Sequence, residues 1–215
     1  GVSSKYRVLS TGLKGVAMDD GITAPSFESL INNQAAELFE KLTPKYGKDI
    51  RALFPSPKSI ATLSQYAELL ERWTTKIDLV APSSREMLVS RHLIDCIGAW
   101  AIIQQHLKRQ TKDAVLDVGS GAGLPGLVIA ALEPSRPLLL CEPREKRCLF
   151  LEEARRKLGL QSVQVLRKRV EEIRPEEVVA VSVCITRATG FSDLLLKESR
   201  RLLKRQAWVI EMATE

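Results

Sequence analysis

A chain of 215 residues, 45% of them apolar, is long enough for one sizeable hydrophobic core with a smaller appendage packed against it. Its apolar runs, such as 124–132 with Pro125 and Gly126 inside it, fall short of the roughly 20 residues that a membrane helix needs, so no membrane partner is expected. The net charge is +6, with Lys and Arg gathered at 144–147, 155–157, 167–169 and 200–205. Any one cluster reads as the solvated face of a helix or a strand end, but their sum favours a polyanionic partner.

In chain order, residues 1–25 contain no continuous apolar stretch, carry Asp19 and Asp20, and read as a disordered leader rather than a targeting peptide. Residues 26–110 read as a helical region. The first helix covers 27–42, with Ser26 as its N-cap and Pro44 closing it. In the second, Ile60, Leu63, Tyr66, Leu69, Leu70 and Trp73 recur at three- and four-residue spacing, which marks an amphipathic helix. A third helix covers 86–107.

From 111 to 215 short aliphatic runs alternate with helical segments, which is how a parallel α/β sheet reads. Strands are predicted at 114–118, 138–142, 163–167, 179–185 and 207–212. Helices are predicted at 124–133, 146–158 and 192–203, with Gly159 as a C′ glycine after the second. Cys96, Cys141, Cys148 and Cys184 form no CxxC pair and fall in apolar or helical stretches. They read as reduced core residues of a cytoplasmic protein, with no metal site.

Asp117-Val118-Gly119-Ser120-Gly121-Ala122-Gly123-Leu124-Pro125-Gly126 follows a predicted strand and opens a helix. The loop therefore sits at the carboxyl end of the first strand, where open α/β sheets bind ligands. Glycines let the backbone turn sharply there and approach a ligand closely. Glu142 ends the next strand, where a carboxylate can hold a ribose diol. The stretch also satisfies GxGxxG, so a dinucleotide must be weighed. Asp117 separates the two readings, because a pyrophosphate would be repelled by a nearby carboxylate, whereas the ammonium group of S-adenosyl-L-methionine would be attracted. The arrangement D-x-G-x-G-x-G favours S-adenosyl-L-methionine; a glycine turn with no ligand is the plain alternative. Where enzymes that methylate exocyclic amines carry an Asn/Asp-Pro-Pro-aromatic turn, this chain reads Thr186-Arg187-Ala188-Thr189. An acceptor such as guanine N7, whose lone pair is already free, fits that better and requires no general base.

These residues, with those preceding them, resemble the bacterial 16S ribosomal RNA guanine-N7 methyltransferases, also called the glucose-inhibited division protein B family. Glu86-Met87-Leu88-Val89 and Arg91-His92-Leu93-Ile94-Asp95 resemble a helical signature of that family, here with one extra residue. The glycine loop ends in the more specific Gly-Leu-Pro-Gly, and Lys146-Arg147, Arg169-Val170-Glu171-Glu172 and Arg187-Ala188 complete the likeness over about residues 60–190.

The resemblance implies a Rossmann-like class I fold with helices on both faces of a mostly parallel sheet. It implies cofactor contacts from Gly119, Leu124, Val170, Glu171 and Arg187, beside those read from Asp117, Ser120, Gly121, Gly123 and Glu142. Arg187 would lie near the transferred methyl and is the candidate catalytic residue; it would also suit an RNA phosphate. The expected partner is 16S ribosomal RNA or the small ribosomal subunit, and a monomer is expected. Several features depart from the family pattern: Glu142 stands where Asp is usual, Asp78-Leu79-Val80 where Asn-Leu-Thr is usual and Ile210-Glu211-Met212 where Leu-Lys-Gly is usual, and the chain ends at Glu215, before the last strands. They leave open a catalytically silent cofactor-binding module that recognises RNA, or a small-molecule methyltransferase. His92 and Asp95, three apart on a helix, can share a hydrogen bond and are expected to dock the helical region rather than perform chemistry. Trp73 and Trp100 are expected in the core and His106 at the surface.

Overall fold

The computed structural model describes residues 24–81, 83–107, 113–187 and 193–212. The expected leader lies almost wholly outside the described residues, and so does the turn at 188–192.

Helix α1 (Phe27–Tyr46) starts where Ser26 accepts from the Ser29 amide at 3.2 Å. It runs through Pro44 and stops at Gly47, whose φ of 85° suits glycine. Pro44 therefore does not close it: a proline in the last turn removes one donor, and the Gly47 amide still reaches the Thr43 carbonyl at 2.9 Å. Helix α2 (Pro57–Thr74) begins three residues before the apolar stripe, capped by Ser56 with Pro57 in its first turn.

The predicted 86–107 helix is three segments, α3 (Arg85–Leu88), a π-helical turn (Val89–Ile94) and α4 (Asp95–His106). A widened turn absorbs one extra residue without rotating everything downstream by about 100°, the angle per residue of an α-helix.

The sheet contains β1 (Ala114–Val118), β2 (Leu138–Cys141), β3 (Val163–Leu166), β4 (Val181–Arg187) and β5 (Leu203–Met212) in the order β3-β2-β1-β4-β5. Every neighbouring pair is parallel. The crossovers carry α5 (Gly126–Leu132), α6 (Glu145–Lys157) and α7 (Asp193–Leu202). Strand β4 lies two residues later than the apolar run suggested, because Val179 is exposed and Thr186 and Arg187 continue the ladder. Strand β5 follows α7 directly and includes the polar stretch Lys204-Arg205-Gln206 that hid its start.

Period-2 alternation puts the two faces of the sheet into different cores. Val115, Leu138, Leu140, Val163, Val183 and Ile185 join α5, α6 and the apolar stripes of α1, α2 and α4 in one cluster. Leu116, Leu139, Cys141, Leu166, Val181 and Cys184 pack with Val170, Ile173 and Leu202 in the other. The helical region thus shares its hydrophobic core with one face of the sheet. All four cysteines are buried and unpaired, with burial pushing the thiols of Cys96 and Cys141 up to about 12. Trp100 is buried, Trp73 packs edge-on against Phe150, and His106 is exposed.

Candidate active site

The strand order reverses between β2 and β4 on either side of β1, and the glycine loop leaves β1 there. The Gly119 and Ser120 amides both donate to the Cys141 carbonyl, at 2.9 and 3.1 Å, tying the loop to the end of β2. The Gly123 amide donates to the Ser120 carbonyl at 2.7 Å, and the Ser120 hydroxyl to the Asp117 carbonyl at 3.0 Å. Gly119, Gly121 and Gly123 have φ of 72°, 55° and 86°.

These glycines are required for different reasons. A Cβ at Gly123 would lie 2.5 Å from Leu127, and one at Gly126 would collide with Leu140 and come 2.6 Å from Asp117 Oδ2. Both positions therefore serve the packing of α5 on the sheet, so the close approach expected of Gly123 is made to protein. Gly121 is different: a Cβ there would meet Arg147 Nη1 at 3.5 Å and the Gly119 carbonyl at 3.8 Å, ordinary contact distances, so glycine is required by the positive φ of 55° rather than by crowding.

Two buried carboxylates lie at this loop. Asp117 is fully buried; Oδ2 accepts from the Gly126 amide at 2.9 Å, while Oδ1 has no partner among the described residues. Burial pushes its carboxyl up to about 7 against the pull of the Gly126 and Ser120 hydrogen bonds. Glu142, 3% exposed, accepts from the Gly121 amide through Oε2 and from the Arg144 amide through Oε1, both at 2.9 Å. It braces the loop, and each oxygen retains a lone pair for a further donor. A buried carboxylate oxygen without a donor at Asp117, with the spare lone pairs of Glu142 at the end of the next strand, fits a ligand carrying both an ammonium group and a sugar diol, as S-adenosyl-L-methionine does.

Val170 and Glu171 lie in a single helical turn after β3, at the same edge of the sheet. The Val170 side chain is buried in the second core and Glu171 is exposed, while the carbonyls of both accept from Arg201 at 3.4 Å. Leu124, 7% exposed, belongs to the first core.

Arg187 ends β4 beside the loop, but its guanidinium is committed to the helical region. Nη2 donates to the Arg91 carbonyl at 2.8 Å and lies 3.3 Å from Asp95 Oδ2, and Nη1 lies 3.6 Å from Cys96 Sγ. A phosphate grip would require breaking these contacts. Asp95 therefore turns to Arg187, and His92 is left with a buried Nδ1 that has no partner among the described residues; burial, with Arg187 and Arg91 nearby, holds its pKa down at about 4.

Two further side chains shape the site. The Tyr66 hydroxyl, fully buried in α2, donates to the Ala122 carbonyl at 2.6 Å, and Arg147 in α6 donates to the Asp78 carbonyl at 3.2 Å while lying over Gly121. Tyr66 was legible only as one member of a core stripe; the signal for more was that a buried tyrosine hydroxyl needs a partner. A groove of about 710 Å³ lies elsewhere, between Lys45, Tyr46, Asp49 and Gln105, and none of its walls comes from the glycine loop.

A parallel sheet with flanking helices, a glycine loop at its carboxyl edge and an acidic residue closing the next strand define a class I methyltransferase-like α/β protein. The family model for GidB, rRNA small subunit methyltransferase G, matches residues 59–214, and the chain belongs to that family. Ribosomal RNA small subunit methyltransferase G of Polynucleobacter asymbioticus is 32% identical over 157 residues, covering 73% of this chain and 70% of the relative. That of Halorhodospira halophila is 33% identical over 156 residues, covering 73% and 69%. That of Clostridium perfringens reaches 40% over 107 residues, covering 50% and 43%. Among solved structures, a SAM dependent methyltransferase from Aquifex aeolicus is 24% identical, with a TM-score of 0.41 over 50% of this chain and 61% of that one.

Proposed function

We propose that this chain is a Rossmann-like class I methyltransferase that uses S-adenosyl-L-methionine to methylate N7 of a guanine in 16S ribosomal RNA, working in the cytoplasm. The observation that carries the reading is the pair of buried carboxylates at the glycine loop, Asp117 with its unpartnered Oδ1 and Glu142 on the Gly121 amide, in a chain that belongs to a methyltransferase family. When bound, the cofactor supplies an electrophilic methyl on a sulfonium.

The protein's part is positioning, which can supply several kcal/mol of barrier reduction. Asp117 would meet the ammonium group, Glu142 the ribose hydroxyls, and the turn at Val170 and Glu171 would border the adenine. Guanine N7 attacks with a lone pair it already holds, so the site needs no group to remove a proton first. His92, held neutral, and Tyr66, whose hydroxyl is spent on Ala122, agree with a site that moves no proton. The basic residues Arg144 and Lys146, exposed immediately after Glu142, suit a polyanion approaching the same edge.

The test is transfer of labelled methyl from S-adenosyl-L-methionine to small ribosomal subunits lacking N7-methylguanine, with mass mapping of the product and calorimetry of cofactor binding. Label on a guanine as N7-methylguanine is the expected result. Tight cofactor binding with no label on RNA would overturn it in favour of the silent module, for which Glu211, exposed at the end of β5, is the motivating residue. Label on a small molecule alone would point to the other alternative.

A further inference from the structure

The π-helical turn at Val89–Ile94 gives Arg187 a fixed seat. In an α-helix the Asp95 amide would donate to the Arg91 carbonyl, four residues back. Here it donates to the His92 carbonyl instead, and the Arg91 carbonyl accepts from Arg187 Nη2 at 2.8 Å. The same turn brings Asp95 Oδ2 to 3.3 Å from that nitrogen and Cys96 Sγ to 3.6 Å from Nη1. Three groups from one short stretch therefore hold one guanidinium at the end of β4. Thr186, the residue before Arg187, is paired in register with Val118, and its hydroxyl donates to the Val118 carbonyl at 3.0 Å. The seat is thus anchored to the strand from which the glycine loop springs. The Arg187 side chain is 11% exposed and that of Asp95 48%, so the carboxylate shields a cation that has given up most of its hydration.

We propose that Asp95 is a positioning residue for Arg187, and that the π-helical turn exists to present its carboxylate and the Arg91 carbonyl together, so that the guanidinium stays in one setting beside the glycine loop. This rests on the reading of that loop as a cofactor site. Asp95 touches neither reacting atom; it acts through Arg187. Losing the carboxylate leaves a desolvated guanidinium with fewer partners, which then has other arrangements to choose from, and cofactor binding must pay to restore the productive one.

The experiment is a double-mutant cycle read by calorimetric binding of S-adenosylhomocysteine, using wild type, Asp95→Asn, Arg187→Gln and the double variant, with Asp95→Glu as the conservative replacement and thermal unfolding of each. Asp95→Asn is expected to weaken binding about tenfold in the wild-type background and to have no further effect when Arg187 is already glutamine. Asp95→Glu should recover part of the loss. Asp95→Asn that lowers the unfolding temperature but leaves the Kd unchanged would overturn the proposal, since that is the pattern of a purely structural contact. An equal loss in both backgrounds would also overturn it, because Asp95 would then act by a route other than Arg187. Should Arg187→Gln fail to fold, Arg187→Lys replaces it in the cycle, keeping the charge while losing the two-sided fork. Wild type that binds no S-adenosylhomocysteine overturns the cofactor reading and this proposal together; wild type that binds while Asp95→Asn is indistinguishable from it overturns this proposal alone.

Discussion

Burial raises the Asp117 carboxyl from its usual 3.8 to about 7, so between those values the folded chain holds a proton that the unfolded chain releases. The stability this contributes is fully present below pH 3.8 and is lost as pH rises through 7, at a slope of at most about 1.4 kcal/mol per pH unit. Asp117→Asn keeps an acceptor for the Gly126 amide without the titration. Its stability advantage over wild type should therefore grow from pH 5 to pH 8 in urea denaturation, and a constant difference would show that Asp117 is already ionised at pH 5. A cationic cofactor group beside Oδ1 favours the carboxylate, so cofactor affinity should rise with pH through 7, with proton release seen as a buffer-dependent heat.

The loop glycines separate in the same way. Gly126→Ala, whose Cβ would meet Leu140 and Asp117, should cost about 1–3 kcal/mol of stability by overpacking. Gly121→Arg should instead press a long side chain against Arg147 at the face of the loop and abolish cofactor binding, with a stability loss of about 1–2 kcal/mol from its positive φ. Calorimetry and urea titration of both variants would show whether packing and binding divide along this line.

Helix α5 shows why the helical region cannot be an optional appendage. Leu127, Val128, Ile129, Ala130 and Ala131 are consecutive and all buried, so the helix is apolar all round and must be enclosed on every side. The sheet supplies one side, and α2 and α4 contact another. A chain beginning at residue 108 would expose that second side, and it should lack near-ultraviolet dichroism and bind hydrophobic dyes; a cooperative unfolding transition in that fragment would contradict the shared core.

Tyr66 couples the same two layers through one bond. Tyr66→Phe leaves the Ala122 carbonyl without its buried donor, which should cost about 1–3 kcal/mol and loosen the glycine loop. Weakened cofactor binding at a temperature where the variant is fully folded would separate the effect on the loop from the effect on stability.

For the whole molecule the question is which of its cations meet a polyanion. Arg155 and Lys157 pair with Glu152 and Glu153, Arg167 and Lys168 with Glu145 and Glu177, and Arg201 and Lys204 with Glu198 and Asp113. Three of the four basic clusters are thus partly neutralised by the chain itself, and surface pairs of this kind contribute little to stability. Arg144 and Lys146 lie at the edge that carries the glycine loop. Alanine at either should weaken RNA binding across sequences and reduce the slope of log affinity against log salt by about 1, while Arg155→Ala should leave the slope unchanged.

Much of this was written in local pattern. The alternation of strands and helices, the place of the glycine loop, the position of Glu142 just past the end of β2 and the C′ glycine at Gly159 follow from periodicity and from backbone preferences that act over a few residues. Strand β4 was displaced because register depends on partners: Thr186 and Arg187 look like a loop until β5 pairs with them. The helix past Pro44 and the π-helical turn escaped for a related reason, since neighbouring elements stabilise geometries that the isolated segment does not favour. The site divides along the same boundary. Asp117, Gly121 and Glu142 are near neighbours along the chain or around the strand ends, and their chemistry could be reasoned from spacing. Tyr66 on Ala122, Arg147 on Asp78, and Arg187 on Asp95 join residues 56, 69 and about 90 positions apart, and side-chain contacts of that kind exist only once the two layers have packed.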